Sequence, residues 1–122
     1  MLDASALLAW ILDEPGADRV DRSLAAGEAV IGAVNFAEVL ERSRDAQRTE
    51  ARILALDVTV EPFDLADART TAELRPHTRH AGLSLADRSC LALARRLGLP
   101  ALTADHAWAT LDVGVTIELI RP

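Results

Sequence analysis

Five short apolar runs set the main constraint on this chain. "MLD" (1–3), "AVIGA" (29–33), "VTVEPF" (58–63), "LPALT" (99–103) and "VTIELI" (115–120) each suit a strand, and the stretches between them are periodic enough for helices. Strands alternating with helices predict an α/β fold. Its central, mostly parallel sheet is covered by helices on both faces, a three-layer α/β/α sandwich. Right-handed crossovers then bring every strand C-terminus to one edge, where ligands of such folds bind. A length of 122 residues fits one domain, 1–122, and half the residues are apolar. Trp10, Phe36, Phe63 and Trp108 are the only aromatics, so the core must be built of Ala, Leu, Val and Ile.

Between the strands, helices are expected over Ser5–Leu12, stopped by "DEPG", and over about 17–26, ended by Gly27. "NFAEVLERSRDAQ" (35–47) reads as a helix, and "TEARILALD" continues helically after a break. "DLADARTTAELRPHTRH" (64–80) is a helix with Pro76 near its end. The clearest helix is "SLADRSCLALARRLG", where Ala86, Cys90, Leu93 and Leu97 recur at three- and four-residue steps. Gly98 stops it, and Arg95 and Arg96 complement the dipole of its last turn. "DHAWATL" is a short helix before the last strand.

Composition excludes several classes. A net charge of −6 argues against holding nucleic acid by overall positive field. All 13 basic side chains are arginine, which rules out amine chemistry and leaves the bidentate guanidinium fork for any phosphate contact. Cys90 is the only cysteine, so no internal disulfide forms, and a reducing cytoplasm fits. The apolar stretch Ala6–Leu12 lacks a basic leader, and no run approaches the ~20 apolar residues of a membrane span.

Chemistry concentrates in four segments, "LDAS" (2–5), "NFAE" (35–38), "SLAD" (84–87) and "LTAD" (102–105). Each acid has a local explanation. Asn35 with Glu38, and Ser84 with Asp87, have the spacing of capping boxes, as does "DLAD" (64–67), which is read as capping only. Asp3 or Ser5 can cap the first helix, and Asp105 the short helix that follows it. Jointly they mean more. Asp3 and Asp105 end strands, while Glu38 and Asp87 sit in first helical turns, so all four belong to the same edge of a parallel sheet. Two carboxylates ~4 Å apart repel by about 1 kcal/mol in water and about 4 at an effective dielectric of 20. A cluster of four therefore calls for a divalent cation, and all-oxygen ligands favour Mg²⁺ or Mn²⁺ over zinc.

The ordered set "LDASALL", "NFAEVL", "SLADRSCLALA" and "LTADHAWA" resembles PIN-domain ribonucleases, most of all the VapC toxins of bacterial type II toxin–antitoxin systems. The resemblance spans essentially the whole chain. It implies a metal-dependent endoribonuclease that cleaves single-stranded or loop RNA, with Asp3, Glu38, Asp87 and Asp105 as catalytic and metal-binding acids. Ser5, Asn35 and Thr103 would orient ligands or waters behind them. It also implies Mg²⁺ (or Mn²⁺) as cofactor, a VapB-like antitoxin that offers an arginine to the acids, and a homodimer formed through the helical 33–57 region. One departure stands out. Only Met1 and Leu2 precede Asp3, so either the first strand is stunted or the natural start lies upstream.

Remaining polar residues have plainer readings. Arginines 42, 44, 48 and 52 could contact RNA backbone, against the alternative of a solvated face. His77, His80 and His106 read as surface, Cys90 as core, Trp10 and Trp108 as packing, and Arg88 as local charge balance. Receiver-like or haloacid-dehalogenase-like phosphotransfer also places an aspartate after the first strand, but it calls for a lysine. The live alternative is a non-catalytic PIN-like interaction module whose acids only cap helices.

Overall fold

The computed structural model describes residues 1–122. Helix α1 (Ala4–Ile11) and α2 (Ala17–Ala25) lead to strand β1 (Ala29–Gly32), then α3 (Ala33–Glu41) and α4 (Ala46–Leu54). Strand β2 (Val58–Glu61), α5 (Leu65–Glu73), a four-residue α6 (Arg75–Thr78), α7 (Leu85–Leu97), β3 (Ala101–Thr103) and β4 (Ile117–Leu119) follow. A 3-10 turn at His106–Thr110 separates the last two strands.

Both strand pairs, β1 with β2 and β3 with β4, are parallel. A single residue joins them: Leu2 bridges Ile31 on one side and Leu102 on the other, both in parallel sense. Its amide donates to the Val30 carbonyl at 2.7 Å, the Leu102 amide donates to the Met1 carbonyl at 2.8 Å, and the Asp3 amide to the Leu102 carbonyl at 3.0 Å. The sheet is thus one parallel array in the order β2, β1, Leu2, β3, β4, with the expected first strand shortened to one bridging residue at its centre.

Side chains alternate across this sheet, as the pleat requires. Leu2, Ala29, Ile31 and Leu102 join α1, α2, Val39 of α3 and Ile53 of α4 in one buried cluster. Met1, Ala101 and Trp108 join Cys90–Ala94 of α7 and Leu74 in the other. These are the outer layers of the sandwich. Small residues permit the close packing: a Cβ on Gly32, at the end of β1, would lie 2.5 Å from Cδ1 of Leu93 in α7.

Several boundaries depart from the sequence expectation. The helix expected from Asn35 starts at Ala33, directly after β1, with no side-chain cap, so Asn35 lies inside the helix and the Asn35/Glu38 capping box does not form. The following break falls at residues 42–45, where Asp45 caps α4 by accepting from the Arg48 amide at 3.1 Å. The long helix expected over 64–80 is divided into α5, α6 and a 3-10 turn (Arg79–Ala81). Pro76 has no amide to continue the ladder. The Ser84/Asp87 and Asp64/Asp67 boxes both form, and Gly98 ends α7 with φ 66°. No helix is long and apolar enough to cross a membrane.

Candidate active site

Asp3 is the fixed point. It follows the bridging residue of the central strand, caps α1, and is only 3% exposed. Its Oδ1 accepts the Ser5 amide at 3.0 Å, and its Oδ2 accepts the hydroxyls of Ser5 at 2.7 Å and Thr103 at 2.5 Å. Those hydroxyls are themselves held. Ser5 Oγ accepts the Ala104 amide at 2.9 Å, and Thr103 Oγ1 accepts the Asp105 amide at 3.0 Å. One network therefore ties the ends of two neighbouring strands to one carboxylate. Burial pushes the Asp3 pKa above its ordinary value, the Ser5 and Thr103 hydrogen bonds oppose the rise, and the nearby Asp87 charge adds to it.

The other three acids reach the same place from different elements. Asp3, Ser5, Glu38, Arg42, Ser84, Asp87 and Asp105 line one cleft of about 230 Å³, with no apolar side chain in its wall. Asp87 caps the first turn of α7, its carboxylate accepting the Ser84 amide at 2.9 Å. Asp105 is exposed and caps the 3-10 turn, accepting the Ala107 amide at 2.9 Å. Glu38 caps nothing. Its Oε1 pairs with Arg42 at 3.0 Å, and its Oε2 is buried with no hydrogen-bond partner. Burial raises its pKa; Arg42 opposes this, and Asp3, Asp87 and Glu41 reinforce it.

An orphaned carboxylate oxygen in a cleft shared with three further acids is an acceptor suited to a hard cation, and the all-oxygen donor set matches Mg²⁺ or Mn²⁺. No three of the chain's Asp, Glu, His and Cys side chains stand as a ready-made chelating set. The reason is visible: Glu38 is turned to Arg42, and Asp87 and Asp105 are turned to their own caps.

A family model, the PIN domain, matches residues 1–114. The chain belongs to the PIN domain family. Solved structures agree in fold. A DNA-bound VapBC from Salmonella typhimurium is 18% identical with a TM-score of 0.72, covering 98% of this chain and 96% of its own. VapBC2 from Rickettsia felis, bound to a promoter DNA fragment, is 14% identical with the same score and coverage. VapBC-5 from Mycobacterium tuberculosis is 29% identical over 75% of this chain and 79% of its own, with a TM-score of 0.52. Comparison with curated proteins finds no match.

Within this PIN domain the remaining candidates fall as follows. Asn35 is fully buried and makes no hydrogen bond to the acids; its Nδ2 donates to the Ala86 carbonyl at 3.2 Å and so docks α3 against the first turn of α7, next to Asp87. Ser5 and Thr103 hold Asp3 directly. Arg42 lies in the cleft wall, paired to Glu38 at i,i+4, a spacing from which the pair is legible. Arg52 lies 4.5 Å over the ring of half-buried Trp10 and donates to the Ile11 carbonyl at 3.3 Å, away from the cleft. Arg88 donates to the Thr71 carbonyl at 3.0 Å. Trp108 and Cys90 are core, and His77, His80 and His106 are exposed.

Arg96 does more than complement a dipole. It grips the buried Asp67 with two hydrogen bonds, 2.8 and 3.1 Å, and reaches Glu61 at 3.1 Å. Asp67 is therefore more than a cap. A larger concavity, about 650 Å³, is lined by Met1, Glu28, Leu99 and Pro100 among others. Those residues sit at the N-terminal ends of the strands, opposite the acids.

Proposed function

We propose that this chain is a VapC-like toxin: a metal-dependent endoribonuclease that hydrolyses phosphodiester bonds in single-stranded or loop RNA and is silenced by a VapB-like antitoxin. The observation that carries this reading is the shared cleft. Four carboxylates from four separate elements line it, and the most buried of them, Asp3, is anchored by three donors. A shared sheet edge brings caps near one another, but Glu38 caps nothing and still lines the cleft; burial first, and then the neighbouring acids, push the pKa of Asp3 and Glu38 up.

Asp3, Glu38, Asp87 and Asp105 would hold Mg²⁺ or Mn²⁺, which when bound lowers the pKa of a water, screens the scissile phosphate and stabilises the departing oxygen. The chain's own residues do the positioning. Ser5 and Thr103 fix the Asp3 carboxylate in one orientation. Asn35 fixes the start of α7 and with it Asp87. Asp105, the exposed member of the four, would orient an attacking water. Two bound divalent ions would offset four of the six net negative charges, which eases the approach of RNA. The reading includes one domain over 1–122, a homodimer through the 33–57 region, an antitoxin arginine reaching the acids, and a cytoplasmic location.

Asp3→Asn and Asp87→Asn should abolish Mn²⁺-dependent cleavage of a single-stranded RNA while preserving the circular dichroism spectrum. Wild-type cutting rates in both variants would refute the role assignment. A second reading has its own support, because Asp3, Asp87 and Asp105 each accept a backbone amide at the start of a helix or turn. A non-catalytic module using its acids as caps predicts no cleavage by the wild type with either metal.

A further inference from the structure

We infer that Arg42 is the resident counter-ion of the acidic cleft: it occupies Glu38 in the metal-free protein and gives that carboxylate up when a divalent cation binds. This rests on the reading of the cleft as a cation site. The four acids are not held alike. Asp3 is pinned by three donors, and Asp87 and Asp105 are each tied to a backbone amide. Glu38 alone has no backbone donor, and its one partner is a charged side chain, the Arg42 guanidinium at 3.0 Å.

The pair is lopsided. The Glu38 side chain is 19% exposed and that of Arg42 60%, so the acid faces inward and the base faces solvent. Arg42 is the C-cap of α3, at the start of the 42–45 break, where the chain leaves the helix. It is the only cation lining the cleft. An ion pair with so exposed a partner is weak. It leaves Glu38 Oε2, which is buried, without any partner. A divalent ion engaging that oxygen together with Asp3 and Asp87 makes a better match than one guanidinium on Oε1. The exchange is consistent with the absence of a preassembled chelating set, since Glu38, like Asp87 and Asp105, is turned to another partner.

The test is Mn²⁺ binding by isothermal titration calorimetry on chelator-stripped protein, without RNA. Arg42→Met should bind Mn²⁺ about threefold to tenfold tighter than wild type. Arg44→Met removes the same charge two residues further on, from an exposed side chain outside the cleft. It should stay within about twofold of wild type. In wild-type protein, added Mg²⁺ should move the Arg42 guanidinium ¹⁵N resonances toward those of free arginine. Wild type that binds Mn²⁺ while Arg42→Met binds no tighter, or while both variants tighten equally, overturns the role of Arg42 and leaves the nuclease reading standing. Absence of Mn²⁺ binding in wild type and Arg42→Met alike overturns both.

Discussion

Replacing Asp3 by asparagine should stabilise the metal-free protein while destroying its activity. The side chain is isosteric and its partners can adapt. Asparagine Oδ1 keeps the Ser5 amide, and each of the two hydroxyls, already accepting one backbone amide, has a second lone pair for Nδ2. The Ser5 amide bond is kept, and the two hydroxyl bonds can be kept only in reverse, with Nδ2 donating and both hydroxyl protons turned away from residue 3, while a buried charge beside Glu38 and Asp87 is removed. Single stabilising substitutions commonly yield about 0.5–2 kcal/mol, and a domain of this size gains roughly 3–5 °C in melting temperature per kcal/mol. Asp3→Asn should therefore melt about 2–10 °C above wild type in EDTA. The pH dependence has a definite sign. Burial raises the folded-state pKa of Asp3 above its ordinary 3.8, so the folded protein holds this proton longer than the unfolded chain. Wild-type stability from this group falls as pH rises through that window. The advantage of the variant should thus be absent below the ordinary aspartate range, grow as pH rises, and level off once Asp3 is ionised. Millimolar Mn²⁺ should close the gap. A ligand at a hundredfold excess over its Kd stabilises by about 2.7 kcal/mol, and only wild type retains the full ligand set. Thermal melts across pH with EDTA or Mn²⁺ measure all of this. A variant less stable than wild type in EDTA at every pH, or a gap that Mn²⁺ leaves unchanged, would refute the reasoning.

Other outcomes follow from the same structure. Asp67→Ala removes a capping box and the buried partner of Arg96, and should cost about 2–3 kcal/mol in urea unfolding. Burial raises the Asp67 pKa, but the Arg96 hydrogen bonds outweigh it and hold the group below its ordinary value. That contribution is present at neutral pH and lost as pH falls through the folded-state pKa, so Asp67→Ala should flatten the acid limb of the stability profile. Gly32→Ala sets a Cβ 2.5 Å from Leu93 Cδ1, so the fully buried Leu93 side chain must shift. A loss of about 1–3 kcal/mol is expected, read by the same unfolding curves. Expressed without an antitoxin, the wild-type chain should arrest bacterial growth and Asp87→Asn should not, as growth curves after induction will show.

Much of this was legible because its causes are local. Alternating strand and helix patterns led to the parallel sandwich, and the Ser84/Asp87 box and Gly98 bounded α7 from their own spacing. The two residues before Asp3 left open a stunted first strand or a start further upstream. What was hidden depended on distant contacts. Asn35 has the spacing of a cap to Glu38, yet the chain enters α3 directly from β1, and the side chain serves the Ala86 carbonyl 51 residues away. Asp67 looked like an ordinary box because Arg96 is 29 residues further on. Arg42 was weighed with its neighbours as a contact for RNA backbone, when its four-residue offset from Glu38 already placed it on the cleft. The acids were legible as one set through the shared sheet edge, whereas their present orientations, each turned to a cap or to Arg42, are decided by individual side-chain partners.

The most direct measurement is anomalous diffraction from a crystal of the wild-type protein soaked in Mn²⁺. A peak within coordination distance of Asp3, Asp87 and a Glu38 carboxylate turned away from Arg42 is the predicted result. A cleft without manganese density, with Glu38 still on Arg42 and the aspartates still on their backbone amides, would contradict the claim that these side chains exist to hold a cation.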